Sequence, residues 1–191
     1  MEMSKVVNFY TDGACSGNQN DENVGGWGAI LEYGDTVKEL HAGEMNTTNN
    51  RMELDAVINA FRQLKRDGLT VHVFTDSSYV ANCFLNKWYV SWRSKGWKNS
   101  KKEPVENRER WEELLSMAEK NDVTFFRVKG HVNLDSPKTD ADKAYRKFLS
   151  DNSASLEKPD APEIGFDDFR KLIDMNNRAD ELANIAMDEL R

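Results

Sequence analysis

The sequence has few cysteines and no long apolar run. Its 191 residues include only Cys15 and Cys83, which lie far apart, so we expect neither a disulfide framework nor a cysteine-based zinc site. No apolar segment approaches the ~18 residues that a membrane-spanning helix requires. The first five residues carry no apolar run of the signal-peptide type. We therefore expect reduced thiols, a cytoplasmic location and no membrane association.

Basic residues are fewer than acidic residues in the whole chain, but they are concentrated in one stretch. The formal net charge is −7, which taken alone argues against nucleic-acid binding. Between Lys87 and Lys102, however, six basic residues and no acidic residue occur, interleaved with Trp88, Trp92 and Trp97. Because the distribution of charge matters more than its sum, this stretch is a candidate for contact with a nucleic-acid backbone. Core packing is the simpler explanation for Trp92 and Trp97.

Hydrophobic periodicity predicts alternating strands and helices. The predicted strands cover residues 6–12, 27–33, 36–42, 71–75 and 123–128. The first predicted helix begins after the cap-rich run 46–50 and ends at Asp67-Gly68, and the second begins after Asp76. Further helices are predicted at 107–120, 140–150 and 167–174, and a last helix is predicted to begin at the cap Asn176-Asn177. Three strands with short links favour an antiparallel meander, and strand–helix–strand spacing favours a parallel crossover. The pattern is typical of an α/β fold.

Four carboxylates stand at the boundaries of predicted elements. Asp12 and Asp76 each close a predicted strand, whereas Glu53 and Asp180 lie near the start of predicted helices. Like charges that meet cost stability unless a cation binds between them. Oxygen ligands without cysteine or clustered histidine suit Mg²⁺ or Mn²⁺, and two such ions can promote hydrolysis of a phosphodiester. Each acid also has a plainer explanation as a turn, cap or first-turn helix residue.

Five motifs resemble the successive signatures of type 1 ribonuclease H. They are TDGACSGN at 11–18, TTNNRMEL at 47–54, TDSSYV at 75–80, VKGH at 128–131 and NRADELA at 177–183. The resemblance implies a ribonuclease H-like fold, with a five-stranded mixed sheet of three antiparallel strands and then two parallel strands, flanked by helices. It also implies cleavage of the RNA strand of an RNA/DNA hybrid with two Mg²⁺ ions (or Mn²⁺), leaving 5′-phosphate and 3′-hydroxyl ends.

Carried over position by position, the resemblance assigns metal binding to Asp12, Glu53, Asp76 and Asp180, and product release or proton shuttling to His131. The residues to which it assigns substrate contacts are Cys15, Asn18, Thr48, Asn49, Asn50, Arg51, Ser78, Trp88, Lys95, Lys98, Asn107 and Trp111. The resemblance implies that some of these would contact 2′-hydroxyl groups across the minor groove, and that Thr48, Arg51 and Asn107 would bind a phosphate of the DNA strand. Asp174 competes with Asp180 for the fourth position.

An insertion distinguishes this chain from the family pattern. His131 and Asp180 are separated by 48 residues, where the family has a short loop. We expect one domain spanning 1–191, with a core at about 5–131 and 176–190 and a helical insertion at about 134–175. The insertion could present an acidic face that excludes duplexes, act as a lid, or be an inert elaboration.

Two further functions were weighed against the nuclease. One is a catalytically inactive module that binds hybrid or double-stranded RNA. The presence of all four acids and His131 argues against it. The other is an integrase-like enzyme of the same fold, which would lack the motif at 47–54. No obligatory protein partner is evident, and we expect a monomer that binds RNA/DNA hybrid.

Overall fold

A mixed five-stranded sheet forms the centre of the computed structural model, which describes residues 6–17 and 23–191. Its strands are β1 (Val6–Ser16), β2 (Val24–Tyr33), β3 (Thr36–Met45), β4 (Thr70–Thr75) and β5 (Asp122–Arg127). The spatial order is β3-β2-β1-β4-β5. β1, β2 and β3 pair antiparallel, whereas β4 and β5 run parallel to β1. The predicted sheet is therefore confirmed.

Helices cover both faces of this sheet. They are α1 (Asn49–Arg62), α2 (Ser78–Leu85), α3 (Trp88–Ser94), α4 (Arg108–Glu119), α5 (Ala141–Asp151), α6 (Ser153–Leu156) and α7 (Phe166–Asp188). Within residues 6–17 and 23–191, no helix combines the length and apolar character that crossing a bilayer requires. α1 ends at Arg62 rather than at the predicted Asp67-Gly68, because its last turn closes with short-range bonds at Gln63 and Leu64.

Side-chain alternation along the strands divides the core into two layers. Phe9 of β1 points toward the layer that α1, α2 and α4 cover. Tyr10 points toward the layer of α5 and α7, where it stacks on Phe74 of β4, which stacks on Phe126 of β5. The ring centroids are 5.3 and 5.0 Å apart. This aromatic row joins three strands and lies beneath α7.

The predicted break before the last helix is wrong. α7 runs without interruption from Phe166 to Asp188, so neither Asn176 nor Asn177 caps a helix. Asn176 continues the buried stripe of the helix at 2 % exposure, and Asn177 donates a hydrogen bond to the Val132 carbonyl at 2.9 Å. The amide side chains that suggested a cap instead make tertiary contacts.

The segment before α7 is anchored to β5 through Asn152. Its side-chain oxygen accepts the Arg127 amide at 2.7 Å, and its side-chain nitrogen donates to the Arg127 carbonyl at 2.9 Å. Asn152 is 1 % exposed, and nearby Phe148 packs on Phe169 with ring centroids 5.4 Å apart. The segment therefore shares the core of the sheet rather than standing apart from it.

Candidate active site

Asp12 lies within β1 rather than after it. The strand continues to Ser16, and Asp12 pairs with Gly28 of β2, so the prediction that this strand ends at residue 12 is wrong. The Asp12 residue is 4 % exposed. An Asp-Gly pair commonly marks a turn, but here the glycine serves close packing.

Gly13 lets β1 approach the first turn of α1. A Cβ at this position would overlap the backbone nitrogen of Glu53, so a larger residue would displace the helix. The Gly13 backbone lowers the pKa of the Glu53 carboxyl group, against the larger raising effect of burial, and Glu53 is 5 % exposed. Strand and helix thereby hold the carboxylates of Asp12 and Glu53 side by side.

Asp76 follows β4 and is not used as a helix cap. Ser77 caps α2 instead, because its hydroxyl accepts the Val80 amide at 3.2 Å. Gly130 lies directly against Asp76, where a Cβ would overlap the Asp76 carboxylate. The carboxylate is therefore directed into the space beside Asp12.

Asp12, Glu53 and Asp76 form what we call the carboxylate cluster. One oxygen from each lies within 4.8 Å of the others. Glu53 Oε2 and Asp76 Oδ1 are buried and have no hydrogen-bond partner among the described residues. Buried polar atoms are rarely left without a partner, and carboxylate oxygens are the ligands that Mg²⁺ and Mn²⁺ prefer. The cluster therefore fits a divalent cation.

Burial and mutual repulsion raise the pKa values of all three carboxyl groups. The pKa of Asp12 is raised to about 11, first by desolvation and then by the charges of Asp76 and Glu53. Desolvation, followed by the charge of Asp76, raises the pKa of Glu53 well above its ordinary value. The pKa of Asp76 is also raised, chiefly by desolvation. A cation that binds here must therefore displace protons near neutral pH.

Helix α7 brings Asp180 to the carboxylate cluster. Gly28 permits this approach, because a Cβ there would overlap the carbonyl oxygen of Ala179. The proximity of Asp180 raises the pKa values of Asp12, Glu53 and Asp76. Since Gly28 also pairs with Asp12, one glycine sets the register that places both acids together.

His131 approaches the same point from the loop after β5. Its Nδ1 is 3.6 Å from Asp180 Oδ2, and its side chain is 75 % exposed. The backbone of His131 has φ +58°, in the left-handed region. Asp174, the competitor for Asp180, is exposed and lies roughly 9 Å earlier along α7. The structure thus brings His131 and Asp180 to the cluster, and leaves Asp174 on the outer part of the helix.

The predicted phosphate pocket is assembled from distant parts of the chain. Arg51 Nε donates to Asn107 Oδ1 at 3.3 Å, and Asn107 Nδ2 donates to the Tyr79 hydroxyl at 3.2 Å. The Thr48 hydroxyl accepts the Arg51 amide at 3.1 Å and caps α1. These contacts hold the side chains of Arg51 and Asn107 beside the first turn of α1.

Most other predicted substrate contacts are accessible. The exposed residues among them are Asn49, Ser78, Trp88, Lys95 and Lys98, and the half-buried ones are Cys15 and Asn50. Asn18 lies outside the described residues. The accessible set flanks the start of α1 and extends onto α3 and the loop after it.

Trp111 does not contact the surface. It is 0 % exposed, and its Nε1 donates to the Tyr79 hydroxyl at 2.9 Å. Its ring packs against Tyr79 and Trp92 at centroid distances of 5.3 and 5.5 Å. The structure therefore contradicts the prediction that Trp111 touches substrate. Trp111 instead positions the Tyr79 hydroxyl, which accepts a hydrogen bond from Asn107.

Sequence reasoning missed two groups of residues around the site. One comprises Gly28 and Gly130, which allow close approach; a glycine inside a strand is the available signal for Gly28. The other is a set of lysines facing His131 from the predicted insertion. Lys143 and Lys147 are spaced for one helix face, and they make the part of the insertion beside His131 predominantly basic.

Comparison with known proteins decides the family. The sequence model of the RNase H family matches residues 4–149, which is more than half of the chain. The chain belongs to the RNase H family. The family match ends before α7 begins, so the placement of Asp180 depends on the geometry described above.

Curated relatives support the RNase H assignment. The Ribonuclease H of Moorella thermoacetica is 50 % identical over 127 residues, covering 66 % of this chain and 81 % of the relative. The Ribonuclease H of Acetivibrio thermocellus is 50 % identical over 127 residues, covering 66 % and 84 %. Among solved structures, LC9-RNase H1, a type 1 RNase H with the type 2 active-site motif, has TM-score 0.59 and 26 % identity, covering 92 % of this chain and 87 % of its own.

Proposed function

We propose that this RNase H family member hydrolyses the RNA strand of RNA/DNA hybrids, leaving 5′-phosphate and 3′-hydroxyl ends. The observation that carries the proposal is the carboxylate cluster, in which one oxygen from each acid lies within 4.8 Å of the others. Two buried oxygens of the cluster have no hydrogen-bond partner within residues 6–17 and 23–191. Bound Mg²⁺, or Mn²⁺, would activate water and stabilise the leaving oxygen when two ions are present.

The protein's own residues have distinct proposed roles. Asp12, Glu53, Asp76 and Asp180 would hold the ions. His131, exposed and 3.6 Å from Asp180, would exchange a proton with solvent or assist product departure.

Substrate recognition divides between the two strands of the hybrid. We assign Cys15, Asn18, Asn49, Asn50 and Ser78 to the minor groove, where 2′-hydroxyl groups distinguish RNA from DNA. The Thr48–Arg51–Asn107 pocket would take a phosphate of the DNA strand, because Arg51 retains further donors beyond its bond to Asn107. The residues of the basic stretch that would follow the backbone beyond this pocket are Trp88, Lys95 and Lys98.

The fourth metal-binding acid can be tested with a matched pair of variants. Asp180→Asn should reduce hybrid cleavage at least about tenfold, because a charged ligand beside the cluster is lost. Asp174→Asn, an identical change on the exposed part of the same helix, should leave cleavage unchanged. Equal losses in the two variants would refute the assignment of Asp180.

The whole chain is proposed to form a single domain that acts as a monomer in the cytoplasm. One core layer contains Phe126 of β5 together with Phe148 of α5 and Phe169 of α7, so the segment after His131 is not an independent unit. Cys15 and Cys83 are free thiols. One unfolding transition and a monomeric mass in solution would support this organisation, and separate transitions would contradict it.

The activity is tested by incubating the protein with an end-labelled RNA/DNA hybrid, duplex RNA and duplex DNA, with Mg²⁺ or with EDTA. We expect cuts only in the RNA of the hybrid and only with Mg²⁺, and Asp12→Asn should be inactive. Binding of the hybrid without cleavage in Mg²⁺ or Mn²⁺ would refute catalysis and favour a binding module.

A further inference from the structure

A cavity of about 420 Å³ lies beside His131, between the end of β5 and helix α5. Its basic lining residues are Arg127, Lys129, Lys138, Lys143 and Lys147. The acidic residues in the wall are Asp140 and Asp151. Five cations thus face two carboxylates in a protein whose net charge is −7.

The two carboxylates leave most of this positive charge uncompensated. Asp140 accepts the backbone amide of Lys143 and caps α5, and Asp151 pairs with Lys147 at 3.1 Å. Within the part of the chain that the structure describes, Arg127, Lys129, Lys138 and Lys143 form no ion pair. A concave surface with one sign of charge concentrates its field and attracts ions of the opposite sign.

The wall of the cavity is held in place by buried contacts. Phe148 and Phe169 line it and pack on each other, and both are at most 5 % exposed. Asn152 fastens the end of α5 to the backbone of Arg127 with bonds of 2.7 and 2.9 Å. Lys143 and Lys147 therefore project into the cavity from a helix that is anchored to the core.

His131 belongs to both sites. It lines the cavity, and its Nδ1 is 3.6 Å from Asp180 beside the carboxylate cluster. A strand whose reacting phosphate lies at the cluster would have its next phosphates beside His131. We propose that this basic cavity binds the phosphodiester backbone of the substrate strand beyond the scissile bond, and so extends the footprint of the enzyme. This inference rests on the proposed function.

The test compares two double variants with the same change in charge. Lys138→Gln with Lys143→Gln removes two cations from the cavity wall, at positions away from the carboxylate cluster. Lys65→Gln with Lys120→Gln removes two exposed cations, of which Lys120 precedes β5 at the end of that strand opposite to the cavity. Binding of a long fluorescent RNA/DNA hybrid is measured by anisotropy in EDTA over a range of salt concentrations.

The cavity variant should bind the long hybrid on the order of 5- to 50-fold more weakly than wild type. Its slope of log Kd against log salt should fall by about 2, roughly 1 for each lost phosphate contact. The remote variant should match wild type. With a short hybrid that ends at the active site, both variants should match wild type. Equal affinity and slope for the two variants on the long hybrid would overturn the proposal.

Failure of this inference is distinguishable from failure of the proposed function. Anisotropy in EDTA does not require cleavage, whereas cleavage by the wild type in Mg²⁺ tests the activity. If the wild type cleaves hybrid, the cavity variant should show a raised KM and an unchanged kcat on the long hybrid. A lowered kcat with unchanged KM on this substrate would contradict a role in binding the strand.

Discussion

Replacing Asp12 by Asn should stabilise the metal-free protein while it abolishes cleavage. Asp12 is 4 % exposed and lies within 4.8 Å of two other carboxylates. These surroundings raise its pKa to about 11, whereas an aspartate in an unfolded chain has a pKa of about 3.9. The folded state therefore holds a proton at neutral pH that the unfolded state has released.

The sign and size of the effect follow from proton linkage. Because the folded state binds more protons, the free energy of unfolding of the metal-free protein falls as pH rises above about 4. The loss is about 1.4 kcal/mol per pH unit for each such group, or about 2.7 kcal/mol between pH 5 and 7. Asn has nearly the same shape and carries no such cost. We expect Asp12→Asn to be about 1–3 kcal/mol more stable at pH 7, which raises Tm by about 2–10 °C.

Thermal and urea unfolding in EDTA from pH 5 to 8 measures this effect. The advantage of Asp12→Asn should grow with pH, and Mg²⁺ should stabilise the wild type more than the variant. Asp67→Asn, which changes an exposed carboxylate, is the matched control and should behave like wild type. A lower Tm for Asp12→Asn, or a difference that does not change with pH, would refute the account of the cluster.

Three other substitutions test the supports of the site. Gly28→Ala should displace the Ala179 carbonyl and lower the free energy of unfolding by about 1–3 kcal/mol. Cleavage should fall more than hybrid binding in EDTA, and unchanged cleavage would contradict the close approach of α7. Asn152→Ala removes both hydrogen bonds to the Arg127 backbone and should cost about 1–3 kcal/mol in urea unfolding; a negligible change would contradict the anchoring of the segment. Trp111→Ala should cost about 3–5 kcal/mol in urea unfolding, as expected for a buried tryptophan; weakened hybrid binding with unchanged stability would instead indicate a substrate contact.

The arrangement of the sheet could be predicted because local signals agreed with it. Period-two alternation defined the strands, short links favoured antiparallel neighbours, and the α1 segment between two apolar strands favoured a parallel crossover. The cap-rich run 46–50 also predicted where α1 begins, and within it the Thr48 hydroxyl accepts the Arg51 amide. Each of these features depends on residues that are close in sequence.

The wrong predictions of element boundaries concern residues whose local sequence signal is outweighed by tertiary packing. Asp12-Gly13 is a strong turn signal, yet Gly13 is needed because α1 passes over β1 at that point. Asn176-Asn177 is a strong cap signal, yet Asn177 binds the Val132 carbonyl from within a continuous helix. Packing between elements that are distant in sequence decides both cases, and no local pattern reports it.

In the candidate site, too, some features could be predicted from local sequence and others depend on tertiary packing. The cluster acids could be proposed from their positions at element boundaries, whereas the accessibility of Trp111 could not, since an aromatic residue fits a core and a binding surface equally well. The basic cavity was hidden because the acids of the same segment dominate its composition. Only folding places Lys138, Lys143 and Lys147 on the side that faces His131.

Calorimetric titration of Mn²⁺ at pH 7, in two buffers of different ionisation enthalpy, tests the central claim most directly. If the cluster of Asp12, Glu53 and Asp76 binds the cation, the wild type should bind Mn²⁺ and release protons, because raised pKa values leave the metal-free carboxyl groups protonated. Asp12→Asn should bind more weakly and release fewer protons. Absence of binding by the wild type, or binding without proton release, would contradict the claim that these buried carboxylates form the metal centre.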